Sequence, residues 1–292
     1  MIHTKDALLL GCDIDGTLLA GYAENTAAQQ EAKVALGALT MSVAHTRNRR
    51  RLPVFFGTVT GRTLRSHQEL QEENLTFGFA TSYMDFVISS VGTEIHVRKG
   101  KYSPRIYLDD WPNAEEWDPE KIREILGSTP DLGSLELQPD EAQSPHKLSF
   151  YANTLLEHDA YVELVGRHLA RWNIAAQVIF SGNEYLDFLP KRTDDNPVDK
   201  GGALLHCADS LATRDALDSR PRIIFAGDSE NDIGGFRAAI QAEGYGIVPS
   251  NAKPDFKEWA ISEFSDSVYI ASRPFAAGVQ EGFEYFTRPR YL

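Results

Sequence analysis

The sequence predicts an α/β fold in which a parallel sheet is interrupted by a small α+β insert. Three observations predict it. Short apolar runs (LLLGCDI, PVFFGTV, FVISSV, RIIFAGD and YGIV) recur, and helical stretches at 64–74, 201–213 and 231–243 follow several of them, the alternation that builds βα units. Between about 105 and 199 the chain becomes strand-rich and irregular, with one helical stretch at about 157–172. Acidic residues close two separate strand signals, one early and one late. The expected organisation is therefore a discontinuous core of residues 1–104 and 200–292, flanking an insert of residues 105–199.

Taken in order, LLLGCDI is an apolar run of the kind a fully buried strand shows. The polar, Ala-rich stretch from Glu31 to Ala44 reads as a helix, and RNRRR at 47–51 as its solvated carboxyl end, where cations are favoured by the dipole. LPVFFGTVT is a strand running into Thr60, Gly61 and Arg62. The insert carries DDWPNAEEWDPE, LELQPDEAQSPHKLSFYAN, AAQVIFSGNEYLDFLP and the polar loop KRTDDNPVD. Lys200, Gly201 and Gly202 open a helical stretch, and IIFAGDSENDIGGF reads as strand, tight turn at Gly227 and helix.

Composition narrows the function classes. At 292 residues there is ample length to bury a core, and the usage is that of a globular protein. A net charge of −13 argues against nucleic acid, which needs a basic face. MIHTKDALLLGCDID holds only a short strand-like run, so neither a leader nor a membrane span is expected. Cys12 and Cys207 make no disulfide framework and no zinc spacing, which suits a reduced, cytoplasmic setting. Alternation turns Cys12 away from Asp13, so it reads as a buried filler.

The candidate chemistry sits at strand ends. The period of two points Asp13 and Asp15 the same way at a strand's carboxyl end, where open α/β sheets bind ligands. Such a pair suits a hard cation such as Mg2+, and one member could attack phosphorus. Asp228 and Asp232 form the second cluster, and two clusters at neighbouring strand ends can share one ion. Thr60 and the amides after it suit phosphate oxygens, and Lys200 can offset charge on a transferring group.

The four segments DIDGT, Thr60-Gly61-Arg62, Lys200-Gly201 and GDSEND, in that order, resemble the haloacid dehalogenase (HAD) superfamily of phosphotransferases. The resemblance implies a Rossmann-like parallel-sheet core. It makes Asp13 the nucleophile and Asp15 the general acid and base. Thr60 and Lys200 become phosphoryl ligands. Asp13, the backbone carbonyl of Asp15 and Asp228 hold Mg2+, with Asn231 and Asp232 supporting metal and phosphate. An acid at Asp15 is the phosphatase and phosphomutase pattern. The long gap between Thr60 and Lys200, against the short one between Asp15 and Thr60, matches a C2-type cap.

ISSVGTEIH, SPHKLSFYAN, VIFSGNEYLDFLP, GIVPSNAKPDFKEWA and ASRPFAAGVQEGF further resemble the sucrose-phosphatase family, which hydrolyses sucrose 6-phosphate. A disaccharide site needs many neutral hydrogen-bonding groups, and Glu94, His146, Lys147, Asn183, Glu184 and Asp187 are the sugar-binding candidates. Gly61, Arg62 and Asn231 are assigned to the phosphate end. Tyr185 and Phe188 read as cap core. The implied partners are a sugar phosphate and a glycosyltransferase that makes it. A phosphatase of another sugar or glycerate phosphate, a phosphohexomutase and a non-catalytic sugar-binding subunit are the alternatives. Two segments depart from the family pattern: 191–199 is longer and acidic, and 21–51 is long and polar.

Overall fold

The structure, a computed structural model, describes residues 7–21, 25–50, 52–98, 103–112, 116–129, 132, 134–154, 156, 158–181, 184–191 and 197–288. The first part of the chain forms β1 (Leu8–Cys12), α1 (Thr26–Arg50), β2 (Val54–Val59), α2 (Leu64–Glu73), α3 (Leu75–Ser82), β3 (Phe86–Ser89), β4 (Glu94–Arg98) and β5 (Arg105–Tyr107). The insert supplies α4 (Pro119–Gly127), β6 (Ser134–Leu137), β7 (Leu148–Asn153), α5 (His158–Arg171), β8 (Ala176–Ser181) and β9 (Tyr185–Pro190). The last part forms α6 (Lys200–Arg214), β10 (Arg222–Ala226), α7 (Ile233–Gln241), β11 (Tyr245–Val248), α8 (Pro254–Phe264), β12 (Val268–Ile270) and α9 (Phe275–Phe286).

Among the described residues the larger sheet runs β12-β11-β10-β1-β2-β3-β4-β5. It is parallel from β12 to β3 and antiparallel from β3 to β5. Side chains alternate between its faces. Leu9 enters one apolar cluster with Val59, Phe86 and Phe225, while Leu8, Leu10 and Cys12 enter another with Phe56, Val279 and Phe283. Helices cover both faces, which is why β1 and β2 are buried throughout and read as unbroken apolar runs. Cys12 is a fully buried filler.

Register decides where the chemistry emerges. Cys12 lies beside Ala226 of β10 and Thr58 of β2. Asp13, the turn after β10 and Thr60 therefore leave the sheet along one edge, at neighbouring carboxyl ends. The insert forms a separate antiparallel sheet in the order β6-β7-β9-β8, packed through Phe150, Leu186 and Phe188 against Tyr161 and Val165 of α5.

Several expectations need adjustment. β5, placed by the sequence in the insert, pairs with β4 at the edge of the larger sheet, and Trp111 and Val198 are buried in that sheet's core. The crossings to the smaller sheet thus lie beyond Trp111 and before Val198, not at 104. A three-residue strand carries too little alternation to be assigned. The stretch 64–74 forms α2 as expected, and Asn74, which ends it, caps a further helix, α3, by accepting from Phe77 N. Arg47 is not a solvated helix end: it bonds Asp85 and the carbonyl oxygens of Val54 and Tyr83, tying α1 to the sheet. Arg51 and residues 192–196 of the expected loop lie outside the described residues.

Candidate active site

Asp13 follows β1 directly, and its amide donates to Ala226 O at 2.9 Å, continuing the sheet ladder by one step. The residue is 5 % exposed, and its Oδ1 accepts from Lys200 Nζ at 2.8 Å. Oδ2 accepts no hydrogen bond among the described residues. Lys200, 1 % exposed, also donates to Asp232 Oδ1 at 2.7 Å and reaches Asn231 Oδ1 at 3.5 Å. It opens α6, where Asp199 caps by accepting from Gly202 N, so the ammonium springs from a fixed helix start.

Asp232 is fully buried and organises the turn after β10. Its Oδ2 accepts from the amides of Asp228 and Ser229, and its Oδ1 takes Lys200. Asp228 Oδ1 in turn accepts from Thr17 Oγ1 at 2.8 Å. Oxygens of Asp13, Asp228 and Asp232 lie within 4.8 Å of one another. Electrostatics follows from that crowding. Burial pushes the Asp13 carboxyl well up, Lys200 opposes, and Asp232 and Asp228 add to the rise. Asp228 is raised to about 6 by burial and by Asp232. Burial works against the charged form of Lys200, yet Asp13 and Asp232 outweigh it and hold its pKa above the ordinary value. Three carboxylates against one ammonium leave an excess of negative charge, and a set of hard oxygen donors fits a dication such as Mg2+.

The Asp15 side chain lies apart from this triad. Arg62 grips it with both arms, Nε to Oδ2 at 2.7 Å and Nη2 to Oδ1 at 2.8 Å. The Asp15 carboxylate is thus not among the clustered oxygens, and Arg62 is engaged with it. Thr60 is 1 % exposed, and its Oγ1 accepts from Arg62 N. The adjoining turn is strained, since Ser90 and Val91 have φ of 53° and 60°. Its amides bond the carbonyl oxygens of Arg62 and Thr60, holding the 60–62 loop in place.

The sugar candidates divide. Glu94 accepts from Ser90 Oγ at 2.8 Å and Ser89 Oγ at 3.2 Å. Half-buried His146 has a buried Nδ1 that makes no hydrogen bond among the described residues. Burial lowers its pKa while the charge of Glu94 opposes. Lys147, 7 % exposed, touches Gly61 O and Ala142 O at 3.5 and 3.4 Å and pairs with Asp187 at 3.6 Å. Asp187 also accepts from Ser149 Oγ. Lys147 therefore joins the smaller sheet to the loop beside Thr60. Glu184 is exposed, and Asn183 lies outside the described residues. Phe188 is cap core as expected, whereas Tyr185 is 41 % exposed and pairs across the strands with Tyr151.

Two supporting residues, Thr17 in DIDGT and Asn251 in GIVPSNAKPDFKEWA, stand in motifs of the sequence without a chemical role of their own there. Thr17 orients Asp228, although it stands in the same motif as Asp13. Asn251 donates to Gly16 O at 2.7 Å and accepts from Phe275 N at 2.8 Å, clamping the turn after Asp15 from the far end of the chain.

The model of the sucrose-6F-phosphate phosphohydrolase family matches residues 6–287. A HAD-like hydrolase of Nitrosococcus oceani is 27% identical over 301 residues, covering 97% of this chain and 72% of that protein. Sucrose-phosphatase 1 of Nicotiana tabacum is 28% identical over 235 residues, 78% of this chain and 49% of its own length. The chain thus spans about half the length of the plant sucrose-phosphatases it matches. The X-ray structure of the sucrose-phosphatase from Synechocystis sp. PCC6803, in complex with sucrose and phosphate, has the same fold, with a TM-score of 0.65 at 24% identity over 96% of this chain and 98% of that one.

Proposed function

The chain belongs to the sucrose-6F-phosphate phosphohydrolase family, and from that premise we propose that it is a phosphoric monoester hydrolase acting on a sugar phosphate, namely sucrose 6-phosphate or a related glycosyl-sugar phosphate. The observation that carries the proposal is the Lys200–Asp13 pair. A buried carboxylate is held by one oxygen, its other oxygen is left for attack, and it stands at the carboxyl end of a central strand.

Asp13 forms a bond to phosphorus as the bond from phosphorus to the sugar oxygen breaks, and Asp15 delivers a proton to that oxygen. Asp15 then takes a proton from a water that attacks phosphorus, releasing phosphate and restoring Asp13. Thr60 and Lys200 hold phosphoryl oxygens throughout. Asp13, Asp228 and the backbone carbonyl of Asp15 would hold Mg2+, with Asp232, whose oxygens are already hydrogen-bonded, shaping the turn. Once bound, the ion would draw negative charge off the transferring group. The smaller sheet serves as the cap, and Glu94 and His146 are the sugar contacts carried over from the sequence. Two free, buried cysteines suit a cytoplasmic setting, where a glycosyltransferase would supply the substrate.

The test is phosphate release with Mg2+ from sucrose 6-phosphate and from mannosylfructose, glucosylglycerate and trehalose phosphates. Turnover of at least one, abolished by chelation and in Asp13→Asn, is expected. Undiminished release by Asp13→Asn would refute the assignment.

A further inference from the structure

A recess beside Asp15 belongs to neither the acidic cluster nor the cap. It encloses about 160 Å³ between the loop after β1, the first turns of α1 and the end of α2, and Asp15 and Arg62 form part of its wall. Leu19 and Leu70 give it an apolar side. Gln29 and Lys33 of α1 face it together with Glu73 and Asn74. Its charges balance, since Arg62 and Lys33 match Asp15 and Glu73. A charge-neutral lining rich in donors and acceptors, with one apolar side, suits a neutral hydroxylated ring better than a second anion.

Position strengthens the case. A general acid must lie within hydrogen-bond reach of the leaving oxygen, so whatever that oxygen carries lies against Asp15. Arg62 fixes Asp15 by both oxygens and thereby fixes the side from which the leaving group is met. We propose that this recess holds a sugar ring of the leaving group, and that Gln29 and Lys33, on a helix extending before the stretch the sequence marks as helical, are specificity-determining residues alongside the cap. The proposal rests on the phosphatase reading above.

The experiment compares wild type, Gln29→Ala and Lys33→Met by Michaelis kinetics on the disaccharide phosphate that wild type prefers and on p-nitrophenyl phosphate, with melting temperatures as a check on folding. Loss of a hydrogen bond to the ring should raise KM for the disaccharide phosphate about 3- to 10-fold. Its kcat should change little, so that selectivity over p-nitrophenyl phosphate falls by the same factor. An unchanged KM in both folded variants, or an equal loss on both substrates, overturns the proposal. Wild type that cleaves p-nitrophenyl phosphate but no disaccharide phosphate overturns it and leaves the phosphatase reading standing, whereas no turnover of any phosphomonoester overturns both.

Discussion

Gly16 shows how little room the site leaves at single residues. Its φ is +84°, and a Cβ there would stand 2.4 Å from Asp228 Oδ2. Gly16→Ala should therefore displace Asp228 and weaken Mg2+ binding in a calorimetric titration, with loss of activity in a chain that still folds. Lys200→Met acts differently, because it leaves Asp13 and Asp232 buried without their cation. Breaking a buried ion pair typically costs about 3–5 kcal/mol, which denaturant unfolding would register as a lower midpoint; an unchanged midpoint would mean that the pair does not hold the site together. The core acids and Lys200 were legible in the sequence because each stands next to a strand or helix signal. The Arg62–Asp15 grip and the Asn251 clamp were not, since they join residues 47 and 235 apart through loops whose course no local pattern specifies.

At the scale of elements, α2 carries two devices. Thr63 caps it by accepting from Ser66 N and donates its own hydroxyl to Glu141 O across to the smaller sheet. Thr63→Val should cost about 1 kcal/mol as a lost cap, seen as a lower melting temperature. His67 is buried between Thr58 and Gln71, and burial lowers its pKa from 6.5 to about 3. Below pH 6.5 the unfolded chain binds a proton there that the folded chain does not. Stability should thus fall as pH drops from 6.5 towards 3, by up to about 1.4 kcal/mol per pH unit from this group. His67→Gln should flatten that slope in denaturant titrations, and an unaltered slope would mean that His67 is not its source. Strands buried on both faces were readable as apolar runs, and α5 as the helical stretch of the insert. The first turn of α1, exposed and polar, and the three residues of β5 offered no period to read.

At the scale of the molecule, the two sheets meet through Thr63 with Glu141 and Lys147 with Gly61, beside Thr60, the proposed phosphoryl ligand, and Arg62, which holds Asp15. Both crossings are anchored on the larger sheet, by Trp111, whose indole donates to Gly92 O, and by buried Val198. Closure over bound phosphate and Mg2+ should protect the amides of 61–63 and 141–147 from hydrogen exchange, and equal exchange with and without them would count against a moving cap. The separate smaller sheet was legible from the change of texture at the insert, while the position of the crossings was not, because it is set by what β5 and Trp111 pack against. The central claim, that Asp13 carries the phosphoryl group, is tested most directly by acid-quenching turnover of a phosphate-labelled disaccharide phosphate and mapping label on the chain. The account predicts label on the peptide containing Asp13, accumulating in Asp15→Asn and absent from Asp13→Asn. Turnover without label on that peptide, or with Asp13→Asn as active as wild type, would contradict it.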